Sequence, residues 1–170
     1  MPTRHHSAAA PRLGFIATAA ALAALAAVAF LLLRPGAGNA AQSSRAMVST
    51  AKTSLGRILV NSSGRTLYLF GKDKNGKSSC SGMCASFWPP LITTGKPRAG
   101  TGAKASLLGT TKRADGRLQV TYNHHPLYTF KKDTKKGQTN GEGLSAFGAT
   151  WYAVSPAGAR VVKSGGGGGY

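Results

Sequence analysis

The residues with the clearest chemical potential are Cys80, Met83 and Cys84, the adjacent His124 and His125, and three carboxylates, Asp73, Asp133 and Glu142. Two thiolates and a thioether are soft ligands, and a mononuclear copper site needs few of them. With the histidines added, they outline a metal-binding or redox protein associated with copper or electron transfer. The spacing argues the other way. Structural zinc uses four ligands, and the redox dithiol has two residues between its cysteines, whereas three separate Cys80 from Cys84. The Cys-x-x-Cys-His string of haem attachment is missing. In an exported chain, two cysteines normally form a disulfide. The small loop between them can turn at Gly82 and fixes local shape more than global stability. His124 and His125 follow Asn123 at a hairpin turn, and adjacent strand side chains point to opposite faces. They are expected to be solvent-exposed turn residues. No cofactor is expected.

A pair of carboxylates can do acid/base work, so a cell-wall hydrolase built on Asp73, Asp133 and Glu142 is a third reading. It is the weakest, because the chain has only 4 Asp+Glu. Asp73 and Asp133 stand at equivalent points of a repeat, each after an apolar strand and at a turn. A duplicated turn cap recurs in both copies, whereas an active site usually does not. No Ser/His/Asp order and no lysine-bearing phosphate loop stands out. The expectation is a non-enzymatic binding or structural module.

The elements that place these residues come from the repeat itself. Shifted by sixty positions, Gly116–Asp133 falls on Gly56–Asp73 without a gap. Gly, Arg, Val, Leu, Tyr, Phe, Lys and Asp are kept at 56/116, 57/117, 60/120, 67/127, 68/128, 70/130, 72/132 and 73/133. In the first copy, apolar runs at 57–60 and 66–70 flank Ser63-Gly64 and read as a β-hairpin. Tyr68 and Phe70 share one strand face and Leu67 and Leu69 the other, so both faces carry apolar groups. In the second copy Leu118, Val120 and Tyr122 alternate with Gln119 and Thr121, as in a half-buried strand. Trp88 precedes Pro89-Pro90, and Trp151 takes its place in the second copy. The predicted fold is all-β: two hairpin-based repeats, about 56–92 and 116–155, in a pseudo-two-fold relation. They pack through Tyr68, Phe70, Trp88, Tyr128, Phe130 and Trp151, with short helical turns near 82–87. The β domain is expected to span 56–163.

Ahead of it, Leu13–Leu33 is uncharged and rich in Ala and Leu, bracketed by Arg12 and Arg34 and followed by Ala37-Gly38-Asn39-Ala40-Ala41. Two readings of residues 1–40 stand: a signal peptide cut near Ala40, or a retained transmembrane helix over 13–33. Both put the domain outside the cytoplasm, secreted or anchored to the cell membrane. Residues 41–55 read as a linker and 164–170 as a flexible Gly-rich tail.

The chain carries 22 Lys+Arg against 4 Asp+Glu, a formal net charge of +18. Such a surface attracts polyanions. The basic residues are scattered rather than gathered into a stripe, and no nucleic-acid module is present, so nucleic acid is not the expected partner. Anionic cell-wall polymers or lipid headgroups are, and no specific small molecule is indicated.

Taken together, Thr66–Phe70 through Asp73, Cys80-x3-Cys84 with Trp88-Pro89-Pro90-Leu91, Asp115–Tyr122, Pro126–Tyr128 through Asp133, and Trp151 through Gly158 resemble a known family. It is the bacterial secreted-repeat family with a Tyr-x4-Asp motif, whose members are described as predicted lipoproteins. The resemblance covers about residues 56–160. It implies an envelope-exposed bacterial protein, commonly membrane-tethered, and no established activity. The motif residues are Tyr68, Asp73, Trp88, Tyr128, Asp133 and Trp151. This chain has no signal-region cysteine to carry a lipid, so only the hydrophobic run remains as a tether.

Overall fold

The computed structural model describes residues 45–162. The signal or anchor segment, the first four residues of the expected linker and the Gly-rich tail lie outside the described residues. Among the described residues no helix is long and apolar enough to cross a membrane. The described residues belong to one compact unit.

Among the described residues ten short strands make up the domain. The first repeat holds β1 (Met47–Thr53), β2 (Gly56–Asn61), β3 (Tyr68–Phe70), the one-turn helix α1 (Met83–Phe87) and β4 (Ile92–Thr93). A connection with β5 (Arg98–Ala99) and a 3-10 turn at Ala105–Leu107 follows. The second repeat holds β6 (Leu108–Lys112), β7 (Leu118–Tyr122), β8 (His125–Pro126), β9 (Ser145–Ala146) and β10 (Ala149–Ala153).

Each repeat begins one strand earlier than the sequence suggests. The stretch expected to be linker contains β1, which pairs antiparallel with β2 from Val48↔Asn61 to Thr53↔Gly56. Its residues, MVSTAKT, are small and polar because only Val48 faces the core completely. Burial on one side is enough to hold a strand whose other side is wet. The turn closes on Gly56 at φ 87, a conformation open to glycine. The same hairpin recurs as β6–β7, from Leu108↔Tyr122 to Lys112↔Leu118.

The gapless sequence repeat conceals a one-residue difference in register. In the second repeat Tyr122↔His125 closes a two-residue turn on Asn123 (φ 47) and His124 (φ 64), as a type I′ hairpin requires. In the first, Asn61 N–H bonds Arg65 C=O across a three-residue loop in which Gly64 takes the positive φ. Asn61 Oδ1 accepts from Ser63 N–H and Arg65 N–H and holds that loop.

The expected local hairpin between 57–60 and 66–70 is reduced to the bridge Val60↔Thr66. Beyond it β3 leaves its own repeat and pairs with β10 of the other, Trp151↔Phe70 through Ala153↔Tyr68. The reciprocal contact joins Pro89 and Pro90 of the first repeat to Tyr128 and Thr129 of the second. Likewise β4 pairs with β7, while Leu59 N–H bonds Val154 C=O. Each repeat's last strand thus completes the other repeat's sheet. Tyr68 and Tyr128 face each other at the centre and exchange both backbone hydrogen bonds, at 2.8 and 3.0 Å.

Because side chains alternate across a strand, the Tyr strands serve two cores. Tyr68, Phe70, Tyr128 and Phe130 enter one, with Trp88, Trp151 and the cysteines. Leu67, Leu69 and Leu127 enter the other, with Val48, Val120 and Tyr122. The strand Leu118–Tyr122 is more deeply buried than its polar alternation suggests. Gln119 is fully enclosed, because Arg113 Nη1 donates to its Oε1 at 2.6 Å and its Nε2 donates to Leu127 C=O at 2.9 Å. A buried amide is tolerated when its polar atoms are paired.

Candidate functional site

The motif residues meet in the first core. Phe70, Trp151, Trp88 and Phe130 form a continuous stack with successive centroids 4.1, 3.9 and 4.2 Å apart. Each Phe lies on the Trp of the other repeat, and the two indoles are parallel within 2°. Tyr68 meets Trp88 edge-on, and Tyr128 meets Trp151 edge-on. Contacts of this kind contribute about 0.5–1.5 kcal/mol each beyond area burial.

The aspartates do cap their turns, and they also reach across. Asp73 Oδ1 accepts from Ser79 N–H and Oγ–H, both at 2.8 Å. Asp133 Oδ1 accepts from Asn140 N–H at 2.9 Å. The second oxygen of each accepts from the tyrosine of the opposite repeat: Tyr68 Oη–H to Asp133 Oδ2 at 2.6 Å, and Tyr128 Oη–H to Asp73 Oδ2 at 2.7 Å. The Tyr-x4-Asp motif is therefore a reciprocal clasp between repeats.

Burial raises both carboxyl groups above the ordinary carboxylate value, against the hydrogen bonds that favour their charged form. It also raises both tyrosine hydroxyls far above theirs, so they remain donors. The two halves of the clasp are unequal: Asp133 is sealed from solvent and Asp73 is partly exposed.

The other chemical candidates are dispersed. Cys80 and Cys84 are joined by a disulfide and buried. Met83 between them points to solvent. His124 is exposed at the turn, but His125, expected to be exposed as well, is half-buried on β8; both lie across the turn cleft from Asp73, Asn75 and Gly76, and burial lowers the His125 imidazole pKa. Glu142 accepts from Ala153 N–H. Among the described residues no three His, Cys, Asp or Glu side chains converge on a point that could hold a metal.

Arg113 was not legible as a site residue. It is buried, donates to Ser78 Oγ and to Cys80 C=O at 2.8 and 2.7 Å, and so fastens the cystine loop to the second repeat. The adjoining polar cleft of about 690 Å³ has Arg117 at its edge, but that guanidinium is paired with Asp115 at 2.7 Å. Their bonding holds the Asp115 carboxyl down to about 2.

A second cleft, of about 290 Å³, opens against the edge of the aromatic stack. Phe87, Leu144 and Phe147 line it with Trp88, Phe130 and Lys132. The Lys131 ammonium sits 5.7 Å from the Phe87 ring centroid, and Phe87 and Phe147 are 6.2 Å apart. The two phenylalanines are not equivalent positions of the repeat: Phe87 directly precedes Trp88, whereas Phe147 lies four residues before Trp151.

Together these features define a two-repeat β module held by a tyrosine–aspartate clasp and an aromatic stack. A family model described as "Secreted repeat of unknown function" matches residues 49–92 and 109–155, more than half of the chain. The chain belongs to this secreted-repeat family, and it is an exported protein. Both matched segments start within the first strand of a repeat, seven residues before the predicted starts at 56 and 116. No curated protein and no solved structure matches the chain.

Proposed function

We propose that the domain is a non-enzymatic binding module of the cell envelope, directed at anionic envelope material. One observation carries the reading. Every lysine among residues 45–162 is exposed, while the clasp consumes two of the few carboxylates and the arginine pair a third. The cationic surface is left with little internal neutralisation, and a field of one sign draws in polyanions. The aspartates needed by a hydrolase are spent as acceptors within the fold, and the thiols needed by a metal or dithiol centre are spent as a disulfide.

Co-sedimentation of the purified protein with isolated cell walls and with anionic vesicles, across a salt series, tests this. Binding should weaken steeply as screening shortens from about 30 Å at 0.01 M to about 3 Å at 1 M. Binding that is absent, or indifferent to salt, refutes the proposal. Elemental analysis of the same sample decides the copper or redox alternative: near-stoichiometric metal would establish it.

A further inference from the structure

The large apolar side chains that the described domain leaves exposed are Met83, Phe87, Leu144, Phe147 and Val162. Val162 ends the described chain. Three of the other four concentrate around one cleft. Phe87, Leu144 and Phe147 line it, each 38–40% exposed. Met83 stands four residues before Phe87 on α1 and is 72% exposed. Residues four apart lie on the same side of a helix.

Cations rim the same cleft. Lys132 lines it, Lys131 covers Phe87, and Lys72 Nζ is 3.6 Å from where a Cβ on Gly148 would stand, one residue from Phe147. Lys72 and Lys132 are equivalent positions of the repeat, so both copies supply charge to this face.

We propose that this lysine-rimmed aromatic face docks on a bilayer containing anionic phospholipid, with Phe87, Phe147, Leu144 and Met83 entering the interface and the lysines meeting phosphates. The inference rests on the envelope-binding reading above and names its partner. Apolar side chains grouped within a cationic rim are what interfacial binding uses: apolar burial adds to attraction for anionic headgroups. A soluble phosphate polymer satisfies the lysines but leaves the phenylalanines in water. A second copy covers the phenylalanines but brings like charges together on a protein of net charge +18.

The test uses the chain from Ala41 onward, which contains the whole compact unit and its sheets. Binding is measured to phosphatidylglycerol/phosphatidylcholine vesicles, to phosphatidylcholine vesicles and to soluble polyglycerol phosphate. The expected result is tight binding to the anionic vesicles only among the two lipids. The double variant F87S/F147S should weaken that binding about tenfold or more while leaving polyglycerol phosphate binding unchanged. Lys131→Gln with Lys132→Gln should weaken both. Near-UV circular dichroism confirms that the variants fold, and Leu144→Gln provides a second apolar probe. Unchanged vesicle binding by F87S/F147S and Leu144→Gln overturns the face but leaves the envelope-binding reading intact. Loss of all binding by the unaltered chain, to vesicles and polymer alike, overturns both. A concentration-dependent dimer that F87S/F147S abolishes overturns the bilayer assignment and makes the face a self-association surface.

Discussion

Replacing Tyr68 with Phe isolates one half of the clasp with almost no change in shape. The Tyr68 hydroxyl donates to Asp133 Oδ2 at 2.6 Å and accepts from Gly141 N–H at 3.2 Å, and neither Tyr68 nor Asp133 is exposed. A hydrogen bond to a charged group contributes about 1.5–3 kcal/mol, and a buried N–H left without its acceptor costs about 1 kcal/mol or more. The variant should therefore lose about 3 kcal/mol, a large share of the roughly 5–15 kcal/mol that holds a domain together. Tyr128→Phe removes the equivalent bond to Asp73 and the bond with Ser78 Oγ at 2.8 Å, but Ser78 Oγ keeps its bonds with Arg113 and Cys80 C=O. The Asp73 carboxylate keeps both bonds from Ser79 and some access to water. Its loss should be about 1–1.5 kcal/mol. Urea unfolding followed by tryptophan emission from the Trp88–Trp151 stack gives both values, with equal slopes indicating that the same transition is compared. The reasoning is refuted if Tyr68→Phe costs under about 0.5 kcal/mol, or if Tyr128→Phe is the more damaging of the two.

Three further outcomes are expected. Gly141→Ala would place a Cβ within 2.8–2.9 Å of the Trp88 ring and Tyr68 Cε1, so overpacking should cost about 1–3 kcal/mol in the same assay. Replacing both Cys80 and Cys84 with Ala frees a loop of sequence separation 4, and chain entropy for so short a loop predicts a loss of only about 2 kcal/mol with the fold retained; loss of near-UV dichroism would contradict this. The third concerns pH. Burial raises Asp73 and Asp133 above the ordinary 3.8, so their contribution is fully present below 3.8 and declines as pH rises through their folded values. Asp115, held down to about 2 by Arg117, acts oppositely: its contribution is present above 3.8 and lost as pH falls toward 2. Melting temperature against pH should show Asp133→Asn flattening the first slope and Asp115→Asn removing part of the second.

The repeat, its strands and the aromatic residues of its core could be read from the chain because identical residues recur in phase with strand alternation. What could not be read was the partner of each strand. Alternation states which side chains share a face, but the hydrogen-bonding edges of Tyr68–Phe70 are the same whichever repeat they meet. The aspartates show the same division. Their turn-capping oxygen was legible from local sequence, and the other oxygen depends on a tyrosine sixty or so residues away. Strand β1 was not legible because its Ser, Thr, Ala and Lys resemble a linker, although it pairs with both β2 and β5, and strand preference depends on context. Arg113 escaped because a buried arginine is recognised by the carbonyl and amide it meets, and these come from the cystine loop and from β7.

The exchange of closing strands also determines the kinetic order of assembly. Two separate one-repeat molecules would have to meet before either sheet was complete, and their folding would depend on how much protein was present. In one chain, the connection between β4 and β6 keeps the halves at an effective concentration on the order of millimolar. For a protein diluted outside the cytoplasm, that makes completion of the fold a first-order event, independent of how many other copies are nearby.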